Sequence, residues 1–232
     1  MTVAAAIKTT DTGNAAIISK RNSAASGDAG WLLGLDFGQG DGVPYFEVSD
    51  GANEFSIYGN TSIADGKWHT VAVVFDQDSL SHSKLFIDGS GATGGRAGNL
   101  TAVGDLSNSD ELNIGRTADG NNYFTGTIDR IVYLPLAAKR GEILRENAAG
   151  NALRVGHQER DRLTGTDWDP FGGAAPVAWW KLDEMSGNVA KDYASSSLDG
   201  TWNGSGTSTW HSVGKIGMAG EFNGVDDYVD CG

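Results

Sequence analysis

Asp65 to Gly89, DGKWHTVAVVFDQDSLSHSKLFIDG, limits the possible folds more than any other stretch of this chain. Trp68 to Asp76 is a near-continuous run rich in β-branched and aromatic residues, the composition of a strand buried on at least one face. Gln77 to Ser83 is polar and turns the chain, and Lys84 to Asp88 makes a second strand. Asp65-Gly66 and Asp88-Gly89 bracket the pair. Both are turn dipeptides, because glycine takes positive φ without steric cost. A strand–loop–strand unit of this kind belongs in the middle of a sheet.

Short strand-like runs recur roughly every ten residues with turn signals between them, the pattern of a sandwich or barrel. Strands are expected near Val3–Lys8, Ala15–Lys20, Trp31–Phe37, Tyr45–Ser49, Glu54–Tyr58, Trp68–Asp76, Lys84–Asp88, Glu111–Gly115 and Tyr123–Leu134. Tyr45 to Val48 and Phe55 to Tyr58 alternate as a half-buried antiparallel pair does. Turns rest on glycine, with 34 glycines against 4 prolines. Gly89 to Gly98, GSGATGGRAG, is expected to be a flexible hairpin tip, since it lacks the pattern and the following helix of a phosphate loop. One short helix is expected near 136–148, with Pro135 at its start and Gly150 past its end. Asn151 to Ala175 is polar, charged and glycine-rich, and reads as a linker.

Bulk properties narrow the function. With 232 residues and 39% hydrophobic content, the chain suffices for one large β domain or two small ones. The net charge of −13 argues against nucleic acid and against an anionic membrane surface, both of which require Lys and Arg. Cys231 is the only cysteine, so an intrachain disulfide and a CxxC metal site are excluded. No apolar run approaches the ~18 residues of a bilayer span, and no segment resembles a signal peptide. The chain opens with Thr2-Val3-Ala4 already in strand-like sequence. That suggests a module cut from a larger secreted polypeptide whose signal peptide lies elsewhere.

Four blocks, DGKWHTVAVVFD, KLFIDG, ELNIGR (Glu111–Arg116) and YFTGTIDRIVYLPLAAKRGEI (Tyr123–Ile143), resemble in order and spacing the laminin G-like, concanavalin A-like jelly-roll modules of secreted bacterial proteins. A second resemblance covers WWKLDEMSGNVAKDYASSSLDGTW (Trp179–Trp202) and GKIGMAGEFNGVDDYVDCG (Gly214–Gly232), which are similar to the opening strands of the same module. The resemblance implies an all-β fold, a jelly-roll β-sandwich of two antiparallel sheets, here with its opening strands last in sequence. Residues 1–150 then form the main part of the sandwich, 151–175 the linker, and 176–232 the opening strands. Two arrangements stay open: 176–232 completes the same sandwich in circularly permuted form, or it begins a following repeat. Completion is favoured, because an orphan half-module would expose sheet edges and the apolar faces around Trp179–Leu182 and Tyr228–Val229. Completion between neighbouring chains by strand exchange is a variant of it.

The same resemblance implies a structural calcium that ties an opening strand to an aspartate in a closing strand. The expected ligands are Asp129 with the Asp183–Gly187 turn, namely Asp183, Glu184 and Gly187, and more weakly Asp192 and Asp199. Ca²⁺ takes 6–8 hard oxygens, which Asp- and Gly-rich loops supply. The plainer role for Asp129 is to cap a turn or pair with Arg130 or Lys181. Sugar rings stack on aromatic faces, and Tyr58 beside Asn60, Tyr123, Trp202 and Trp210 are the candidate sugar contacts. Trp68, Trp179 and Trp180 lie in strongly apolar runs and are assigned to the core. A retaining glycosidase needs two carboxylates ~5–5.5 Å apart. The nearest approaches, around Glu47 and around Asp110-Glu111, are read as strand ends and turns, and no nucleophile elbow or His-Glu-x-x-His helix is present. The expected function is a non-catalytic, calcium-stabilised carbohydrate-binding or adhesion module outside the cell or at its surface. Its expected partners are a glycan or cell-surface ligand and neighbouring repeats of the same polypeptide. The alternative is a structural or protein-interaction spacer in a large surface protein; a glycan hydrolase or lyase ranks below both.

Overall fold

A computed structural model describes residues 1–24, 27–135, 176–194, 198–205 and 211–232. The expected helix at 136–148, the expected linker at 151–175 and Trp210 lie outside these residues. The strands of the first part are β1 (Thr2–Lys8), β2 (Ala15–Lys20), β3 (Ala29–Leu35), β4 (Pro44–Asp50), β5 (Glu54–Gly59), β6 (Trp68–Val74), β7 (Lys84–Ile87), β8 (Ser90–Gly91), β9 (Thr93–Gly98), β10 (Asn113–Ile114) and β11 (Thr125–Leu134). The second part adds β12 (Ala178–Trp180), β13 (Val189–Ala190), β14 (Gly200–Asn203), β15 (His211–Val213), β16 (Met218–Asn223) and β17 (Tyr228–Asp230). The only helical element among the described residues is a 3₁₀ turn at Leu100–Ala102.

All pairings are antiparallel, and the strands form two sheets, the layout of a jelly-roll sandwich. One sheet runs β15-β16-β11-β1-β6-β7-β8, with β12 also on β11; the other runs β13-β14-β17-β10-β2-β3-β4-β5-β9. Side chains alternate faces along a strand. One face of each sheet therefore supplies the core: Val3, Ala5 and Ile7 of β1, Val71 and Val73 of β6, and opposite them Leu33, Phe46, Phe55 and Ile57. The run that begins at Trp68 is β6, next to β1 and near the middle of its sheet. Trp68 itself is half-buried at the strand start, with the Lys8 ammonium 5.9 Å from its ring, and so is not a core residue. Trp180 is fully buried in the main core, while Trp179 packs on the other face of its sheet with Ala4, Val74, Phe86 and Leu134.

The glycine-rich segment after Gly89 is not a flexible tip. Thr93–Gly98 is a strand paired with β5, and its glycines are there because neighbours come close. A Cβ at Gly94 would lie 2.3 Å from the Gly59 carbonyl oxygen, and one at Gly95 would enter the Tyr58 ring. Composition hides such a strand because its residues lack β propensity; cross-strand packing overrides that deficit.

Strands of 176–232 pair directly with strands of 1–135. Within β11, Thr125–Ile128 pairs with β16 and Ile131–Tyr133 pairs with β12. Between them the register with β1 slips, leaving Arg130 as the extra residue of a β-bulge at φ 58. In the other sheet β17 pairs with β10, extended by Leu112 N–H to Gly232 O at 2.9 Å and Cys231 N–H to Leu112 O at 2.8 Å. Phe222 of β16 meets Phe124 edge to face at 6.2 Å and is 2% exposed.

Candidate functional site

In β4 and β5 the core takes Phe46, Val48, Phe55 and Ile57, so Tyr45, Glu47, Ser49, Glu54, Ser56 and Tyr58 lie on the outer face of the nine-stranded sheet. Tyr45 stands directly opposite Tyr58, and Glu47 opposite Ser56. A third ring joins them from the loop after β3. There Asp36 and Phe37 adopt φ of 67 and 46, and the Asp36 carboxylate accepts from the Gly38 and Gly40 amides, both at 3.2 Å. Phe37 N–H donates to Asn14 Oδ1 at 2.9 Å, which fixes the loop. The Phe37 ring then lies over Gly34, where a Cβ would come within 2.7 Å of it, and 5.3 Å from the Tyr45 ring. On the far side the Tyr58 ring covers Gly95 of β9. Phe37, Tyr45 and Tyr58 thus form an aromatic row across neighbouring strands. Tyr45 is 6% exposed, and its two half-buried flanks offer ring surface to solvent.

Beside this row lies a buried charge cluster. Arg21 follows β2 and is fully buried; it pairs through Nη1 with Glu47 Oε1 and through Nη2 with Glu54 Oε1 at 3.0 Å. Glu47 Oε2 accepts from the Tyr45 hydroxyl. Burial first, and the Glu47 carboxylate second, push the Tyr45 phenol above its ordinary range, so it stays a hydrogen-bond donor. Gly30 opposes Ser49, and Ser49 opposes Glu54. A Cβ at Gly30 would lie 2.1 Å from the Lys20 carbonyl oxygen and 3.1 Å from the Arg21 Cβ, so only glycine fits beside the start of the Arg21 side chain. The arrangement overturns the reading of Glu47 as an ordinary strand end.

The expected sugar contacts do not converge. Tyr58 and the exposed Asn60 adjoin at the end of β5. Tyr123 lies before β11, near β10, which is separated from β5 by three strands, β2, β3 and β4, in the sheet order. Trp202 is 4% exposed, packed on Phe222 at 5.2 Å in the core, which removes it from any rim. The alternation Tyr45-Phe46-Glu47-Val48 places Tyr45 and Glu47 on one face and so signals half of the site in advance. Arg21 and Phe37 carry no comparable signal, since each reaches the site through a loop or across a strand.

Of the expected metal residues, Asp129 lies at the β11 bulge, with Asp183 near enough to influence it. Asp129 is fully buried; its Oδ2 accepts from the Ile216 amide at 2.9 Å, and its Oδ1 has no hydrogen bond, with Arg130 Nε 3.4 Å away. Asp129 therefore caps a turn and pairs with Arg130. Burial pushes its carboxyl up to about 6, with Asp183 adding a smaller push in the same direction. Glu184 is raised too, mainly by burial; Oε1 accepts from the Lys191 amide at 2.9 Å, and Oε2 is buried without a hydrogen bond. Leu182 just before them holds φ 54, a conformation that costs a non-glycine residue roughly 1–3 kcal/mol. Gly187 is exposed at φ 88. Asp192 stands apart in role: its Oδ1 accepts from the Trp179 and Ala194 amides and its Oδ2 from the Leu198 amide, while Asp199 Oδ1 accepts from the Asp192 amide. Among the described residues no three His, Cys, Asp or Glu side chains converge as a metal site.

Two antiparallel sheets with a jelly-roll order define a β-sandwich of the lectin and glucanase type. A family model agrees: the concanavalin A-like lectin/glucanases superfamily matches residues 1–143, and the chain belongs to that superfamily. No curated protein matches the chain. Among the described residues no helix is long and apolar enough to cross a membrane.

Proposed function

We propose that the protein is a non-catalytic carbohydrate-binding or adhesion module that acts outside the cell or at its surface. The aromatic row Phe37–Tyr45–Tyr58 carries this reading. Flat apolar sugar faces stack on such rings, and the neighbouring Glu54 and Asn60 supply polar atoms at the edge. Arg21 holds both Glu47 and Glu54 in ion pairs, which supports binding rather than hydrolysis, since a glycosidase pair needs one acid and one free carboxylate. A glycan array read with the parent chain and with Tyr58→Ala tests it. Retention of at least one glycan, weakened about tenfold by Tyr58→Ala, is the expected result. An empty array with a folded protein would instead favour the spacer role.

The same proposal includes a bound calcium at the β11 bulge and a circularly permuted module. Asp129 Oδ1 and Glu184 Oε2 are buried oxygens without hydrogen bonds, a chemistry that suits a hard cation. Asp129, with Asp183 close enough to act on it, would supply side-chain oxygens, and backbone carbonyls the rest. The cation's role is to neutralise buried carboxylates. The ladders from β11 to β12 and β16, and from β10 to β17, support permutation. Removing 176–232 tests it: the remaining residues 1–175 are then expected to be insoluble or without a cooperative melt.

A further inference from the structure

A cleft at the β9 edge, away from the aromatic row, holds two opposite charges that do not pair with each other. Its volume is about 210 Å³, and its walls include Phe55, Leu80, Arg96, Asp78 and Leu100. Phe55 and Leu100 are buried and make an apolar floor, while Leu80 stands 50% exposed at the mouth. Arg96 is exposed and commits one nitrogen, Nη2, to the Ser83 carbonyl at 2.8 Å, which anchors the guanidinium and leaves its other N–H groups available. The Asp78 amide donates to Asp76 Oδ1 at 3.2 Å, which fixes the backbone while its own carboxylate has no partner among the described residues. Among the described residues, Arg21, Arg116 and Arg130 each lie within 4 Å of a carboxylate, whereas Arg96 does not.

We propose that this cleft binds a free apolar α-amino acid. Its carboxylate sits on Arg96, its ammonium on Asp78, and its side chain against Leu80 and Leu100. A neutral sugar could hydrogen-bond both groups but would neutralise neither, and a simple anion would meet Asp78 as a repulsive wall. A zwitterion with an apolar body satisfies both charges and the floor together. Drug-sized ligands occupy pockets of about 300–1,000 Å³, so the volume suits a smaller molecule of amino-acid size.

Amide NMR of the isotope-labelled full chain, titrated with L-leucine, N-acetyl-leucine and leucine amide, tests the proposal. Leucine is expected to shift the Leu80, Arg96 and Leu100 amides in a saturable way. Each blocked form is expected to bind about tenfold more weakly, as is leucine to Arg96→Gln or to Asp78→Asn, because each change removes one charged contact. Asp78→Asn alters an exposed side chain and is expected to leave the rest of the spectrum in place, whereas Arg96→Gln also loses the bond to the Ser83 carbonyl and is expected to shift the amides around it. Absence of saturable shifts with leucine, equal binding of the blocked forms, or unchanged affinity in either variant would overturn it. Glycan binding at the aromatic row is read separately, so failure of one site says nothing of the other.

Discussion

On the nine-stranded sheet Arg21 is fully buried between Glu47 and Glu54, whereas on the eight-stranded sheet Asp129 is fully buried with Arg130 only reaching it at 3.4 Å. In the first cluster a cation from the chain itself holds two carboxylates, and a tyrosine hydroxyl takes a further oxygen. In the second, Asp129 Oδ1 and Glu184 Oε2 remain without hydrogen bonds, and a bulge and a left-handed leucine keep the backbone strained around them. Buried polar atoms are nearly always paired, because an unpaired one costs roughly 1–3 kcal/mol. The first cluster is closed in charge, since its own cation balances the carboxylates. The second is open, with buried carboxylate oxygens that accept no hydrogen bond.

The largest expected effect breaks the closed cluster. Arg21→Ala leaves Glu47 buried beside Tyr45 without its cation and is expected to cost about 3–5 kcal/mol in urea denaturation. The loss should be the same with calcium or with chelator. A cost below about 1 kcal/mol would mean that water replaces the guanidinium and that the cluster is not closed.

The open cluster should respond in the opposite sense. Asp129→Asn keeps shape and an oxygen acceptor for the Ile216 amide, but removes a charge that burial disfavours. In chelator the variant is expected to match or exceed the parent in stability, by about 1 kcal/mol at most. Thermal melts should then show a calcium-dependent rise for the parent and none for the variant. A calcium rise retained in full by Asp129→Asn would move the ion elsewhere.

The contrast also separates what the sequence discloses from what it hides. Trp68–Asp76 announces a strand by composition alone, and β-branched alternation places Tyr45 and Glu47 on one face. Only resemblance connected Asp129 with the 183–184 turn, because the two are distant in sequence; in the structure Asp183 lies close enough to push the Asp129 carboxyl upward. Nothing in the composition of Thr93–Gly98 says strand, since its glycines answer to Gly59 and Tyr58 across the ladder. Trp202 misled for the opposite reason. Its Gly- and Ser-rich surroundings suggested an exposed rim, yet Gly220 beneath it makes room for the ring in the core: a Cβ there would lie 2.4 Å from the indole. Contacts between distant strands decide these cases, and single-sequence periodicity does not report them.

The smallest effect concerns a carboxylate that is neither buried nor open. Asp50 sits at the β4–β5 turn and accepts from the Ala52 amide at 2.8 Å, the Asn53 amide at 2.7 Å and the Gly104 amide at 2.7 Å. These bonds, that of Asn53 foremost, hold its carboxyl well below the usual range, whereas burial drives Asp129 upward. A depressed folded-state pKa adds stability at pH values above the ordinary aspartate value of about 3.9, and that stability fades as pH falls toward the folded value. Asp50→Asn is therefore expected to melt earlier than the parent near neutral pH, with the gap narrowing below about pH 4. Melts at both pH values check it. A gap that stays constant across that interval would show that shape and amide bonding hold the turn, with the charge contributing nothing.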